Sequence, residues 1–220
     1  MRDLNFGAVF ASLDQLLQAA LVSIAIGIVA MLIAMAIGTL ATTLTQTRVP
    51  ALRRAVVVYV DFFRGTPLLV QILALYFIPT AMGLNVSPYV TGVLSLAMYY
   101  GAYITEILRG ALEGVPAGHV DAARSLGMSR GRILMKIELP QALAVVISPL
   151  AGQFARLFKA SALLSVIGVA ELTLRGQFVM TRTYTPIETW LVVAGIYLAF
   201  NSLVVVGAIL LERRLVRGRA

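Results

Sequence analysis

Residues 15–47 run for 33 positions without a charged side chain, and residues 65–105 for another 41. About 20 apolar residues in a helix cross the hydrocarbon core of a bilayer, and inside that core every backbone N–H and C=O must be bonded within the chain. Runs of this length therefore commit the chain to an all-α membrane protein. The first also exceeds by far the apolar stretch of about 7–15 residues in a cleavable signal peptide, so it is expected to stay and to span. Composition agrees. Charged residues make up 13% and hydrophobic residues 60%, against about 25% charged in soluble domains.

Breaks in the apolar pattern divide the chain into about five transmembrane helices, roughly at 16–44, 55–80, 88–108, 140–157 and 189–211. A polar loop at 109–138 separates the third from the fourth. Gly83, Asn85 and Pro88 supply the turn between the second and third, because Gly, Asn and Pro together favour a reversal. The segment 160–172 is apolar but too short to span, and reads as a broken or re-entrant continuation. One transmembrane domain, 1–220, accounts for the chain.

The net charge of +8 does not point to nucleic acid, because the cations lie between apolar runs instead of clustering on one basic face. Such cations orient membrane helices. Arg48, Arg53 and Arg54, then Arg109, Arg124, Arg130, Arg132 and Lys136, then Arg213, Arg214, Arg217 and Arg219 fall on one side if there are five crossings. Only Arg2, Arg175 and Arg182 are left for the other. That distribution predicts an external amino terminus and a cytoplasmic carboxyl terminus.

The polar loop has its own design. Pro116, Ala117 and Gly118 break the chain, His119 to Leu126 can form two helical turns, and Gly127 suits a left-handed helix terminus. Ser129 can cap a second short helix to Ile137. Ala122 and Ala123 let another backbone approach closely, with Asp121 and Arg124 as charged contacts beside them. An amphipathic loop lying on lipid headgroups through its arginines is the alternative.

The spacing Asp121-Ala122-Ala123, three residues, Gly127, nine residues, Ile137-x-Leu139-Pro140 resembles the "EAA" loop of permease subunits of bacterial ABC importers, with Asp121 where Glu is usual. The resemblance implies that Asp121, Ala122, Ala123, Arg124, Leu126 and Gly127 form a coupling helix seated on a cytoplasmic ATPase. A second resemblance is narrower. The run from Tyr59 through Arg64-Gly65-Thr66-Pro67 to Gln71 is similar to polar amino-acid uptake permeases of the histidine, glutamine and arginine type. So are Tyr103 to Gly110, Val115-Pro116-x-Gly118, Leu163-x-Ser165-Val166-Ile167 and Glu171. Together these cover about residues 55–172. They imply the type I ABC importer architecture and a bacterial cytoplasmic-membrane location. The implied partners are a second permease subunit, alike or homologous, a cytoplasmic ATPase dimer and an extracytoplasmic substrate-binding protein. ATP and Mg would then belong to the ATPase, with no cofactor on this chain. An ion-coupled carrier or channel, or a membrane scaffold, would have to treat the loop spacing as coincidence.

Ionisable groups within apolar segments are functional candidates by default. Asp61 and Arg64 are three apart and can pair on one helix face. Gly65, Thr66 and Pro67 can loosen the helix towards a cavity, with Gln71 one turn on. Arg156 and Lys159 cannot both face lipid, and with Ser161 they complete the candidate substrate pathway. In the resembled family an acid or Asn usually follows the lysine, but here Ala160 stands, and Arg156 replaces a small polar residue. Either the two cations meet a substrate carboxylate, or this chain is the non-binding half of a heterodimer and a partner neutralises them.

No cysteine and a single histidine, His119, make a metal site improbable. No GxxxxGK[ST] phosphate loop and no nucleophile–base constellation occur. The chain is expected to carry no catalytic residue, and ATP hydrolysis would belong to the partner.

Overall fold

The computed structural model describes residues 4–47 and 49–217, apart from the side chains of 208, 209 and 211–217. Arg2, Arg48 and Arg219, used above for orientation, lie outside the described residues, as do the side chains of Arg213, Arg214 and Arg217. Among the described residues the chain is helical throughout, joined by short turns.

A short helix α1 (Gly7–Phe10) leads into α2 (Leu13–Thr45), a single helix of 33 residues. Along α2 the buried positions Ala19, Ser23, Gly27, Ala30, Ala34, Gly38 and Ala41 recur every three to four residues. A stripe of small residues at this spacing lets a second helix pack against the backbone itself. That helix is α5 (Pro88–Glu113), its most extensive neighbour. A Cβ added to Gly38 would stand 2.5 Å from Cγ2 of Ile104, and one added to Gly101 would stand 2.9 Å from Cγ2 of Ile37.

α5 is the hub, touching α2, α3 (Pro50–Gly65), α4 (Leu68–Ala81) and α8 (Leu139–Ala160). Its buried hydroxyls turn back to their own helix: Ser95 donates to the Thr91 carbonyl at 2.7 Å and Thr105 to that of Gly101 at 2.8 Å. Packed by protein on several sides, α5 carries more polar residues than a lipid-facing helix. Among the described residues three segments are long and apolar enough to cross a membrane: Leu13–Thr45, Arg130–Ile167 and Pro186–Gly207. The bent pair α3 and α4 makes a fourth if counted as one span. The third expected crossing, 88–108, is not among them, although α5 at 26 residues is about 39 Å long.

Three expectations on element boundaries change. The second crossing, expected as one helix at 55–80, starts at Pro50 and turns by 105° between Gly65 and Leu68. Pro67 has no N–H to continue α3 and pushes the residue before it out of helical geometry; Thr66 is extended at φ −117°, ψ 148°. The fourth crossing, expected at 140–157 after a separate short helix, instead continues from α7 (Arg130–Ile133) through a π-helical turn at Leu134–Glu138 into α8. The Leu139 N–H reaches back five residues to the Leu134 carbonyl. This wider turn absorbs the donor that Pro140 lacks, so the helix runs on instead of breaking. The last crossing, expected at 189–211, lies inside the longer α10 (Pro186–Arg217).

Past α8 the chain tightens into a 3₁₀ helix, Ser161–Ile167, and turns at the left-handed Gly168 (φ 82°). It then enters α9 (Leu172–Thr183), a helix that the apolar pattern does not announce.

Candidate functional site

The polar loop folds as α6 (Ala117–Ser125), started by the extended Pro116 and stopped at Gly127, whose φ of +73° is open to glycine without strain. Two backbone bonds close the end, Gly127 N–H to the Arg124 carbonyl at 2.9 Å and Met128 N–H to that of Ala123 at 3.1 Å. Val120 and Ala123 are buried against Ile133, with Val115, Met128 and Ile137 around them. The helix thus begins two residues earlier than expected. Ser129 is extended at the start of α7, but its hydroxyl makes no capping bond.

Of the six residues assigned to docking, Asp121, Ala122, Arg124, Leu126 and Gly127 are exposed, and Leu126 is 82% exposed. Ala123 is the exception. At 3% exposure it faces Ile133 and fixes α6 to its own subunit, so it is not a surface contact. Arg124 and Asp121 pair at 3.0 Å along one edge.

Two links brace the loop, one within the α7–π–α8 segment and one from α6 to α8, and helical periodicity signals neither. Arg130 reaches the buried Glu138 at 2.6 Å, across the π turn. His119 Nδ1 lies 3.1 Å from Gln141 Oε1 on α8. Eight and 22 positions separate the partners, so helical spacing gives no sign of either pairing.

The elbow between α3 and α4 gathers five of the candidate pathway residues, Arg64, Gly65, Thr66, Pro67 and Gln71. Arg64 does not pair with Asp61. Its guanidinium meets Glu106 on α5 at 3.3 Å and lies 5.4 Å over the Tyr103 ring. Glu106 also holds Arg109 at 2.8 Å, and Arg109 holds Glu113. The two carboxylates raise the pKa of Arg109, past the apolar run, above its ordinary value. Gly65 and Pro67 are exposed at the bend and Thr66 is half-buried.

Gln71 is buried and turned towards the end of α3. Its amide nitrogen is 3.0 Å from the Phe63 carbonyl, 3.2 Å from the Thr66 carbonyl and 2.6 Å from Thr66 Oγ1. Thr66 in turn donates to the Phe62 carbonyl at 2.8 Å. Phe63 is four residues before Pro67, so its carbonyl is the one a helix would leave without a donor. Gln71 supplies that donor from its side chain. Its role is to clamp the elbow, and Oε1 has no hydrogen-bond partner among the described residues.

Arg156 and Lys159 project from the exposed face of α8. Arg156 Nε donates to Oε1 of the buried Gln153 at 3.2 Å, and its terminal nitrogens lie over Gly152, where no side chain intervenes. Ser161 is fully buried and donates to the Phe158 carbonyl at 2.8 Å, so the pathway role expected for it is replaced by a structural one. Close by, the fully buried Glu171 accepts from the backbone of Thr173 and Leu174, both at 2.9 Å, and from the Tyr197 hydroxyl at 3.0 Å. It is the N-cap of α9, a role that an acid preceding a helix can signal in sequence. No group of three or more His, Cys, Asp or Glu among the described residues could hold a metal ion.

Residues 34–217 match the family described as "binding-protein-dependent transport system inner membrane component". The glutamine transport system permease protein GlnP of Escherichia coli K12 is 36% identical over 160 residues, covering 72% of this chain and 73% of its own. The putative GlnP of Rickettsia typhi is 30% identical over 202 residues, covering 91% and 93%. The probable glutamine ABC transporter permease GlnM of Bacillus subtilis is 35% identical over 158 residues, covering 71% and 73%. A crystal structure of an amino acid ABC transporter with histidines superposes with a TM-score of 0.93 at 28% identity, over 97% of this chain and all of that one. The inward-facing MetNI methionine transporter shares the fold, with a TM-score of 0.70 at 18% identity, over 94% and 97%.

Proposed function

The chain belongs to the family of binding-protein-dependent transport system inner membrane components, and from that premise we propose that it forms half of the translocation pathway of an ATP-driven amino-acid importer. Five crossings, an external amino terminus and a cytoplasmic α6 complete the reading. α5 is the crossing enclosed by protein, and the bent α3–α4 pair is the broken one. A second permease subunit lines the other half, and an extracytoplasmic binding protein delivers the substrate. ATP with Mg acts on a cytoplasmic ATPase dimer. The amino-acid class rests on the names of the relatives and of the transporter that superposes at 28% identity.

One observation carries the coupling role. α6 presents an exposed edge of Asp121, Ala122, Arg124 and Leu126, while Val120 and Ala123 bolt it to the foot of the segment that carries Arg156 and Lys159. Closing of an ATPase dimer moves two such helices together, and the continuous α7–π–α8 segment takes that displacement into the membrane. Each nucleotide state then favours one of two permease conformations by its differential affinity, which is all that alternating access requires.

Replacing Gly127 by Glu tests this. A Cβ at φ +73° is strained, and the acid sits beside the docking edge. The variant is expected in the membrane at normal abundance, with ATPase subunits released from it and uptake lost. Retention of both ATPase binding and uptake would sink the assignment.

A further inference from the structure

A groove of about 340 Å³ opens on the flank of the chain, between α2, the carboxyl end of α5 and the start of α8. Its walls are almost wholly apolar, among them Met35, Leu108, Leu139 and Val146, with Thr39 and Thr43 on the α2 side. At one end it meets a polar cleft of about 280 Å³ beneath α6, and the two share Gln46, Leu112 and Leu134. The hollow is thus amphipathic, dry along the helices and polar where the coupling loop begins.

The charges at the polar end do not balance. The acids there are already matched: Glu113 by Arg109, Asp121 by Arg124 and Glu138 by Arg130. Arg132 and Lys136 are exposed, and no ion pair to either is found among the described residues. Neither lines the groove itself, but Arg132 stands two positions before the groove residue Leu134, and Lys136 directly follows the groove residue Met135 in the π turn. Two surplus cations therefore stand beside an apolar slot.

We propose that this groove is a binding site for one anionic phospholipid of the cytoplasmic leaflet, its acyl chain in the slot and its phosphate held by Arg132 and Lys136. The orientation proposed above is the only part of the functional reading on which this rests. Lipid fits better than a second copy of the chain. A copy with a net charge of +8 would bring cations to cations, whereas juxtamembrane Lys and Arg attract anionic headgroups. Leu143 and Met135, half or more exposed beside the slot, are the apolar rim that acyl chains would cover.

The test uses the full chain, purified in mild detergent, delipidated, and offered phosphatidylglycerol or phosphatidylcholine in equal amount. Bound lipid is counted by native mass spectrometry, and thermal unfolding is read in parallel. The wild type should retain one phosphatidylglycerol and unfold at higher temperature with it than with phosphatidylcholine. Arg132→Gln with Lys136→Gln should reduce the preference about tenfold. Thr39→Trp, which fills the slot from an exposed position, should lose the retained lipid of either kind. Equal retention of both lipids by the wild type would overturn the proposal, as would undiminished phosphatidylglycerol preference in the double variant or undiminished retention in Thr39→Trp. ATP-driven uptake by the wild type in vesicles of phosphatidylcholine alone tests the transport reading separately, and its outcome leaves the lipid count untouched.

Discussion

Gln71 shows how much one side chain can decide. A proline in a membrane helix strands a carbonyl one turn back, and in lipid no water replaces the lost donor. Here the Gln71 amide serves the stranded Phe63 carbonyl and the Thr66 hydroxyl together, so the 105° elbow costs no unpaired carbonyl at Phe63. Gln71→Leu keeps the size and removes the donors, leaving buried acceptors at a cost of about 1–3 kcal/mol. Thermal unfolding of the purified variant in detergent should begin several degrees lower than in the wild type. An unchanged midpoint would mean that the elbow is held by packing alone. Ser161 teaches the same lesson. Its residue type suits a pathway, yet its direction, into the carbonyl of Phe158, is fixed by the 3₁₀ turn that follows.

Among the elements, α2 and α5 approach as closely as their small residues allow. Gly38→Val would push a branched side chain into Ile104, whose Cγ2 would lie 2.5 Å from the new Cβ. Overpacking of this kind costs about 1–3 kcal/mol, and the expected result is a lower yield of folded chain and a reduced unfolding temperature, while Gly131→Val on the open side of α7 has neither effect. This level also shows what the sequence could carry. The long apolar runs and the Pro–Gly punctuation around α6 are local signals: α2 covers the first run, and α6 starts two residues before the expected His119. The elbow is legible only as a loosening, because apart from Gln71 the residues from Leu68 to Ile78 are apolar or aromatic. The π turn is invisible because Leu134–Glu138 mixes apolar and charged residues as an amphipathic α-helix does. Ala123 and Arg64 were misread on direction: spacing places them on a helix but says nothing of Ile133 or Glu106, which reach them from other elements.

At the scale of the whole molecule, the exposed pair on α8 needs a counter-charge from outside the chain. Arg156 and Lys159 have no carboxylate facing them within the chain among the described residues, and neither can be left in hydrocarbon. On the proposed transport reading that counter-charge is a substrate carboxylate. Arg156 is already oriented by the buried Gln153 and lies over the open space at Gly152, so its guanidinium is preorganised with donors to spare. A group held ready in this way can receive a carboxylate from the pathway without rearrangement. Arg156→Ala should then leave the proposed permease dimer intact by size-exclusion chromatography and lower uptake at least tenfold, the loss expected for a charge-assisted hydrogen bond of about 1.5–3 kcal/mol. Arg156→Lys should restore part of it, because charge survives while the planar fork does not. A variant that falls apart into single subunits, with uptake lost only in proportion, would assign the cations to the partner chain instead.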